Sequence, residues 1–204
     1  QARYERPSSI EPGYIRQVYL LPKLESKTYT ENILNDQNVD MEADSSSLTN
    51  WTDSTHITAA VEVDTVSPNN YMVYRGDQSA KLTCAASNTG TFTISVTNPT
   101  NYESEELNFS IWVYSKYASL VSPMLQIDSD TAVTGTSHSG GGWERLTVST
   151  TASNVGSTIK AGLSFGSNSA IYTVYADEAI LTSGPSETPK GYEHVVLDWA
   201  EEGD

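Results

Sequence analysis

Disulfide chemistry is almost absent from this sequence, because Cys84 is the only cysteine among its 204 residues. No internal disulfide can form, so stability must come from packing or from a bound metal. In the segment Ala80-Lys81-Leu82-Thr83-Cys84 every second residue is apolar. This alternation predicts that Cys84 is a small buried side chain and not a reactive thiol.

Positive charge is scarce as well. Eleven Lys and Arg residues stand against 26 Asp and Glu residues, which gives a formal net charge of −15. Such a field repels phosphates, so we expect no nucleic-acid partner. Long apolar runs are also missing, and none approaches the ~18 residues of a membrane-spanning helix. The sequence therefore predicts no membrane insertion.

No long amphipathic helix pattern is present, whereas short alternating segments separated by Gly, Asn and Ser are frequent. In residues 107–114 the odd-numbered residues are Leu, Phe, Ile and Val and the even-numbered ones are Asn, Ser, Trp and Tyr, which is typical of a strand with one buried face. The whole pattern predicts an all-β fold, a two-sheet antiparallel β-sandwich. The candidate strands are residues 57–63, 71–74, 79–85, 90–97, 106–115, 122–128, 143–150, 157–165 and 169–181.

The chain divides into three parts by composition. Residues 1–31 contain three prolines and read as an extended arm, residues 32–182 carry the strand pattern, and residues 183–204 form an acidic tail. Each appendage has one apolar strip suited to docking on a neighbouring subunit, and the strip in the arm could add a strand to a partner sheet. We therefore expect an oligomer or a larger assembly, and the alternative is that both strips fold back on their own sandwich. The strips are Val18, Tyr19, Leu20 and Leu21 in the arm, and Val195, Val196, Leu197 and Trp199 in the tail.

Five segments of the middle part occur in the order found in a known family. They resemble the jelly-roll domain of carbohydrate-binding modules, also called galactose-binding-like, which is also found on phage tail and capsid proteins. The resemblance covers roughly residues 32–182 and implies a jelly-roll sandwich. The segments are Asn38-Val39-Asp40-Met41-Glu42 followed by Trp51, Gly76-Asp77-Gln78-Ser79-Ala80-Lys81-Leu82, Phe109-Ser110-Ile111-Trp112-Val113, Trp143-Glu144-Arg145-Leu146-Thr147-Val148 and Tyr175-Ala176-Asp177-Glu178-Ala179-Ile180-Leu181.

The same resemblance implies one structural calcium ion between the opening and closing strands. Its ligands would be the carboxylates of Glu42 and Asp177 together with a backbone carbonyl near Asp40. Calcium takes six to eight oxygen ligands, and carboxylates from two strands can supply part of that set. The alternative is that these acids only cap strand ends in water.

Aromatic side chains on the polar side of the central strand are the candidate carbohydrate-binding residues. Trp112 and Tyr114 alternate with the buried positions and so point outward. Flat rings there could pack against the apolar faces of sugars, unless a second layer covers them. By the resemblance, Trp51 and Trp143 occupy positions where the family buries its aromatic residues, so we expect both in the core.

No catalytic residue is predicted. The segment 162–166 fits a Gly-x-Ser-x-Gly pattern, but it lies inside an alternating strand and lacks the following helix that a nucleophile elbow needs. The three histidines show no metal-ligand spacing, and His138, beside a run of glycines, is expected to be solvated. A jelly-roll lyase or hydrolase would need paired acids or a basic residue in a cleft, which the sequence does not indicate.

These observations predict a non-enzymatic virion structural or decoration protein. In this hypothesis the arm and tail attach a jelly roll to a capsid or tail at the virion surface, where it could contact host glycans. The alternative is an accessory carbohydrate-binding module of a secreted or cell-surface protein, which would be extracellular.

Overall fold

A computed structural model describes residues 32–34, 39–42, 47–63, 72–97, 102, 104–152 and 158–183. Ten strands form within these residues, so the predicted all-β class is confirmed. No helix among the described residues is long and apolar enough to cross a bilayer. The strands are β1 (Trp51–Asp53), β2 (Ile57–Val63), β3 (Gln78–Cys84), β4 (Gly90–Thr97), β5 (Glu106–Ser115), β6 (Val121–Ile127), β7 (Val133–Thr134), β8 (Gly142–Thr151), β9 (Thr158–Phe165) and β10 (Tyr172–Ser183).

The strands form two five-stranded sheets in which neighbouring strands pair antiparallel. One sheet has the order β1-β4-β9-β6-β7 and the other the order β2-β3-β10-β5-β8. Apolar side chains from both sheets meet in one core, which also contains Cys84 as predicted. The largest fully buried residues are Phe92, Phe109, Phe165, Leu34, Met41, Leu82, Ile94, Leu107, Ile111, Leu125, Ile159 and Leu163.

Strand β5 shows how the alternation of the sequence becomes a layered structure. Leu107, Phe109, Ile111 and Val113 are at most 1% exposed and face the core. The residues between them therefore face outward, on the side of the sheet away from the core. Since β5 lies between β10 and β8, its outward residues are in the interior of that face.

A β-bulge interrupts β10 where it pairs with β5. The register shifts between Asp177 and Ile180, and Glu178 adopts a positive φ of 47°. The extra residue lets Ala179 and Leu181 return to the core, where both are buried. The segment 39–42 attaches at this bulge, because the N–H of Ala179 donates to the carbonyl of Val39 at 2.9 Å.

Some expectations were wrong or lie outside the described residues. Residues 72–74 do not form the strand expected at 71–74, since residue 72 lies in a turn and a bend begins at residue 74, and the short strands β1 and β7 were missed. Residues 1–31 and 184–204 lie outside the described part of the chain, and with them both apolar strips proposed to dock on a neighbour.

Candidate functional site

Five aromatic rings gather on the outer face of the β2-β3-β10-β5-β8 sheet, here called the aromatic face. Tyr114 of β5 lies directly opposite Trp143 of β8 on one side and Tyr175 of β10 on the other. Trp112 lies two residues before Tyr114 and points the same way. Tyr74 reaches this face from the turn that precedes β3. Three adjacent strands and one turn thus contribute to a single aromatic surface.

Ring contacts run continuously through the cluster. Tyr74 stacks on Trp112 with centroids 4.1 Å apart and planes 17° apart, and its ring lies 5.4 Å from that of Trp143. Tyr114 makes edge contacts with Trp143 at 5.9 Å and with Tyr175 at 6.2 Å. The three longer distances lie in the range of favourable aromatic pairs, and the Tyr74–Trp112 stack is closer still. Tyr74 is 38% exposed and covers one side of Trp112, so it presents the more accessible ring.

The structure places Trp112 and Tyr114 on the outer face, where the sequence predicted them, and their role in binding sugar stays a prediction. The expectation that Trp143 is a core residue was wrong, because it is half-buried and packs with Tyr114 outside the core. The buried positions Leu146 and Val148 in β8 already imply that odd-numbered residues face outward. Tyr74 had no such signal, since it lies in a turn.

Charged groups lie among the rings. Arg145 is directly opposite Trp112, and its Nη2 donates to the Oγ of Ser110 at 2.9 Å. Burial lowers the pKa of the Arg145 guanidinium, although it stays charged at neutral pH. Lys81 Nζ lies 5.9 Å from the ring centroid of Tyr175, and its hydrogen bond with Glu62 raises its pKa.

Two phenols of the face, Tyr74 and Tyr175, remain neutral. Burial raises the pKa of Tyr74 and of Tyr175 above the usual value for tyrosine. Both hydroxyls therefore keep their protons at neutral pH and can donate as well as accept hydrogen bonds.

A buried carboxylate holds the turn that carries Tyr74. Asp177 has no exposed surface, and its Oδ2 accepts the backbone N–H groups of Tyr74 at 3.2 Å and Arg75 at 3.0 Å. Its Oδ1 accepts the N–H of Glu178 at 2.8 Å. Burial raises the pKa of Asp177 to about 7 against the opposing effect of these donors. The bulge in β10 thus positions a ring on the aromatic face through backbone contacts.

A second carboxylate binds the other end of the same turn. Oε1 of Glu42 accepts the N–H groups of Asp77 at 2.8 Å and Gln78 at 2.9 Å. Gly76 has a φ of +76°, and a side chain there would overlap the Glu42 carboxylate. Glycine is therefore required by both the backbone conformation and the close approach. We call Glu42, Asp177 and the turn at 74–78 the carboxylate clasp.

The expected calcium ligands lie together at this clasp, but their oxygens have other partners. Asp40 is exposed and accepts the N–H of Glu42 at 3.2 Å, while Glu42 and Asp177 bind the amides of the turn. Among the described residues no three His, Cys, Asp or Glu side chains converge on a metal position. One buried side-chain acceptor in this part of the chain, Oε1 of Gln78, lacks a hydrogen-bond partner. The arrangement thus fits a calcium cage poorly, and the ion stays a prediction.

Two other sequence motifs have structural explanations. Ser164 lies within β9, paired with Thr91 and Ser122, so the Gly-x-Ser-x-Gly segment has the strand geometry that the alternation predicted. The expectation that His138 is solvated was wrong, because it is 1% exposed. Its Nε2 lies 3.0 Å from the carbonyls of Val113 and Gly142, and its Nδ1 accepts the N–H of Gly140 at 2.7 Å. The ring anchors the glycine loop before Trp143.

Comparison with known proteins supports the fold. No family model and no curated protein matches the chain. Among solved structures, the CBM22-1 xylan-binding domain of Xyn10C from Paenibacillus barcinonensis is similar, with a TM-score of 0.53 and 14% identity over 70% of this chain and 90% of that one. TmCBM61 in complex with β-1,4-galactotriose is similar with a TM-score of 0.51 and 13% identity, over 76% of this chain and 99% of that one. The chain has the jelly-roll fold of carbohydrate-binding modules.

The predicted resemblance to these modules is thereby confirmed at the level of the fold. A tailspike domain is also similar, the enzymatically active domain of tailspike protein 4 from bacteriophage CBA120, with a TM-score of 0.49 and 15% identity. The similarity covers 71% of this chain and 21% of the phage domain.

Proposed function

We propose that this chain is a non-enzymatic module that binds a carbohydrate on its aromatic face. The observation that carries the proposal is the collection of five contacting rings on one sheet face, with Tyr74 the most exposed of them. Exposed aromatic residues on a rigid sheet lose little conformational freedom when a ligand packs on them. This favours a ligand with flat apolar surfaces.

Sugar rings meet this description, because they combine apolar C–H faces with a rim of hydroxyl groups. The rings of Tyr74 and Trp143 can pack against the C–H faces, while Arg145 and the tyrosine hydroxyls can bind the rim. Binding sites generally combine such apolar contact with a few polar groups that fix orientation. Xylan and β-1,4-galactotriose, the ligands of the two similar modules, supply the first probes.

Affinity electrophoresis in gels containing xylan or β-1,4-galactan, together with a glycan array, tests the proposal. We expect retardation by at least one glycan and loss of that retardation in Trp112→Ala and Tyr114→Ala. Removing a central contact of this kind costs about 2 kcal/mol or more, which is over tenfold in affinity. Thr91→Ala, on the other sheet, is the control and should bind like the wild type. Absence of binding to every glycan, or unchanged binding by both aromatic variants, would contradict the proposal.

The absence of catalysis is part of the proposal and needs its own assay. Any glycan that the protein binds should be recovered with unchanged chain length after prolonged incubation. Release of new reducing ends, or of unsaturated products, by the pure protein but not by a Trp112→Ala control would instead identify a glycan-degrading enzyme.

The proposed place of action is an extracellular or virion surface, as a decoration protein or as an accessory module. The two roles differ in whether the strips at 18–21 and 195–199 bind other subunits. Light scattering of the full chain should show an oligomer that Leu20→Asp and Val196→Asp disrupt if assembly is the role. A monomer that still binds glycan would favour the accessory module.

A further inference from the structure

The outer face of the β2-β3-β10-β5-β8 sheet continues beyond its rings into a polar region. Along β5, the outward residues after Tyr114 and Trp112 in the direction of the N-terminus are Ser110 and Asn108. Each of them is the centre of a row that crosses three strands. The two rows are Ile180, Ser110 and Thr147, and then Thr182, Asn108 and Ser149.

A cavity of about 340 Å³ is lined by the β5 and β8 members of these two rows. One wall is the segment 133–136, which belongs to the other sheet through β7 and stands beside the edge strand β8. The N–H of Gly135 donates to the carbonyl of Pro123 at 3.0 Å, which fixes this wall. A side chain at Gly135 would overlap the carbonyl oxygen of Thr147, so glycine allows the close approach. We call this cavity the polar cleft.

The polar cleft offers hydrogen-bonding groups at two depths. Its floor contains Ser110 and Asn108, which are 3% and 9% exposed, and its rim contains the exposed residues Thr147 and Ser149. Hydroxyl and amide groups both donate and accept hydrogen bonds, as sugar hydroxyls do. The cleft therefore has the chemistry to orient a sugar, which ring stacking alone does less selectively.

The cleft and the aromatic face lie in one line along β5. Six residues separate Tyr114 from Asn108, a distance of about 20 Å at the rise of an antiparallel strand. Arg145 lies between the two regions, opposite Trp112 and in contact with Ser110. This length exceeds that of a single sugar and matches that of a chain of several sugars.

We propose that the aromatic face and the polar cleft form one continuous groove for an internal segment of an unbranched polysaccharide. The inference rests on the proposed function and adds a ligand class to it. Rings at one end hold sugars by packing, and the cleft at the other end selects them by hydrogen bonds. The module consequently binds within glycan chains and does not depend on a terminal sugar.

Calorimetry with xylose and galactose oligomers, from the disaccharide to the hexasaccharide, tests the groove. In the wild type the affinity should rise about tenfold or more with length, as expected for one or two added hydrogen bonds. Thr147→Trp, which fills the cleft from an exposed edge-strand position, should lower hexasaccharide affinity to the wild-type disaccharide level. Thr52→Trp, an exposed position on edge strand β1 of the other sheet, should change neither value.

The outcomes separate the two proposals. Affinity that is independent of length, or a Thr147→Trp variant that binds the hexasaccharide like the wild type, overturns the groove while glycan binding stands. If no oligomer of either series binds to the wild type and the glycan array is also negative, both the groove and the proposed function are contradicted. Circular dichroism of each variant verifies that the sandwich is folded.

Discussion

The two outer faces of the sandwich share one construction and differ in their side chains. The aromatic face carries five rings, whereas the three central strands of the opposite sheet present small or flexible groups in their cross-strand rows. We call this second surface the hydroxyl face. Its rows are Thr91, Ser164 and Ser122, then Thr93, Gly162 and Met124, then Ser95, Lys160 and Gln126.

Cavity size does not distinguish the two faces. The hydroxyl face has the larger cavity, about 430 Å³, lined by groups such as Thr91 and Ser164, while the polar cleft has about 340 Å³. Both offer hydroxyl groups, but the larger cavity adjoins the rings of Phe165 and Tyr172, which are at most 2% exposed, whereas the polar cleft lies on the same sheet face as five rings that contact one another outside the core. The comparison teaches that aromatic surface next to polar groups, and not open volume, identifies the candidate binding face.

The largest expected effect concerns the core that both faces share. Phe109→Ala beneath the aromatic face and Phe92→Ala beneath the hydroxyl face should each lower the free energy of unfolding by about 3–5 kcal/mol. Each ring is at most 1% exposed, so each truncation leaves a cavity. Urea denaturation measures both values. A cost below about 1 kcal/mol for only one of them would mean that the two sheets do not share a core.

The next prediction tests whether the carboxylate clasp belongs to the aromatic face. Asp177→Ala leaves three backbone N–H groups without their acceptor and should lower the free energy of unfolding by about 3 kcal/mol. Glycan affinity should fall as well, because the turn that holds Tyr74 is released. Asp53→Ala, which removes one exposed contact to the N–H of Ala59, should cost less than about 1 kcal/mol and leave binding intact. Equal effects of the two variants would refute a special role for the clasp.

Calcium gives a third test at the same place. If the ion binds as the sequence resemblance implies, calcium at about 100 times its dissociation constant should add about 2.7 kcal/mol of stability relative to a chelator. Glu42→Gln should abolish that gain, and Asp53→Asn on the other sheet should retain it. Identical melting curves with calcium and with chelator would show that the backbone amides already satisfy these carboxylates.

The smallest expected effect compares one cation from each outer face. Arg145→Met removes the hydrogen bond to Ser110 and a donor for sugar hydroxyls, so glycan affinity should fall by about 1 kcal/mol, or about fivefold. Lys160→Met on the hydroxyl face should leave the affinity unchanged. Calorimetry with the bound glycan measures both affinities. A larger loss of affinity in the lysine variant would place the binding site on the hydroxyl face instead of the aromatic face.

Most of the fold could be predicted from the alternation of apolar and polar residues along the strands. The bounds expected for residues 57–63, 90–97 and 106–115 agree with β2, β4 and β5, because each has one buried and one open face. The same alternation placed Trp112 and Tyr114 correctly. In β8 the same alternation also predicts an outward Trp143. The wrong prediction of a core position came from the family resemblance.

The parts that could not be predicted depend on contacts between distant residues. Tyr74 reaches the aromatic face because Asp177, 103 positions later, binds its backbone N–H. The bulge that follows Asp177 and returns Ala179 to the core leaves no pattern in the sequence. The burial of His138 depends likewise on carbonyls of two other segments, so the flanking glycines gave a wrong indication of solvent exposure.

Indole signals in a nitrogen–proton NMR titration test the central claim most directly. Each of the four tryptophans has one indole N–H resonance, assignable by Trp→Phe substitution. On addition of xylohexaose or β-1,4-galactohexaose, the resonances of Trp112 and Trp143 should shift progressively. The resonance of Trp51, which stacks on Phe92 in the other sheet at 4.6 Å, should stay in place. A shift of Trp51 with Trp112 and Trp143 unchanged, or no shift in any of the three, would contradict binding on the aromatic face.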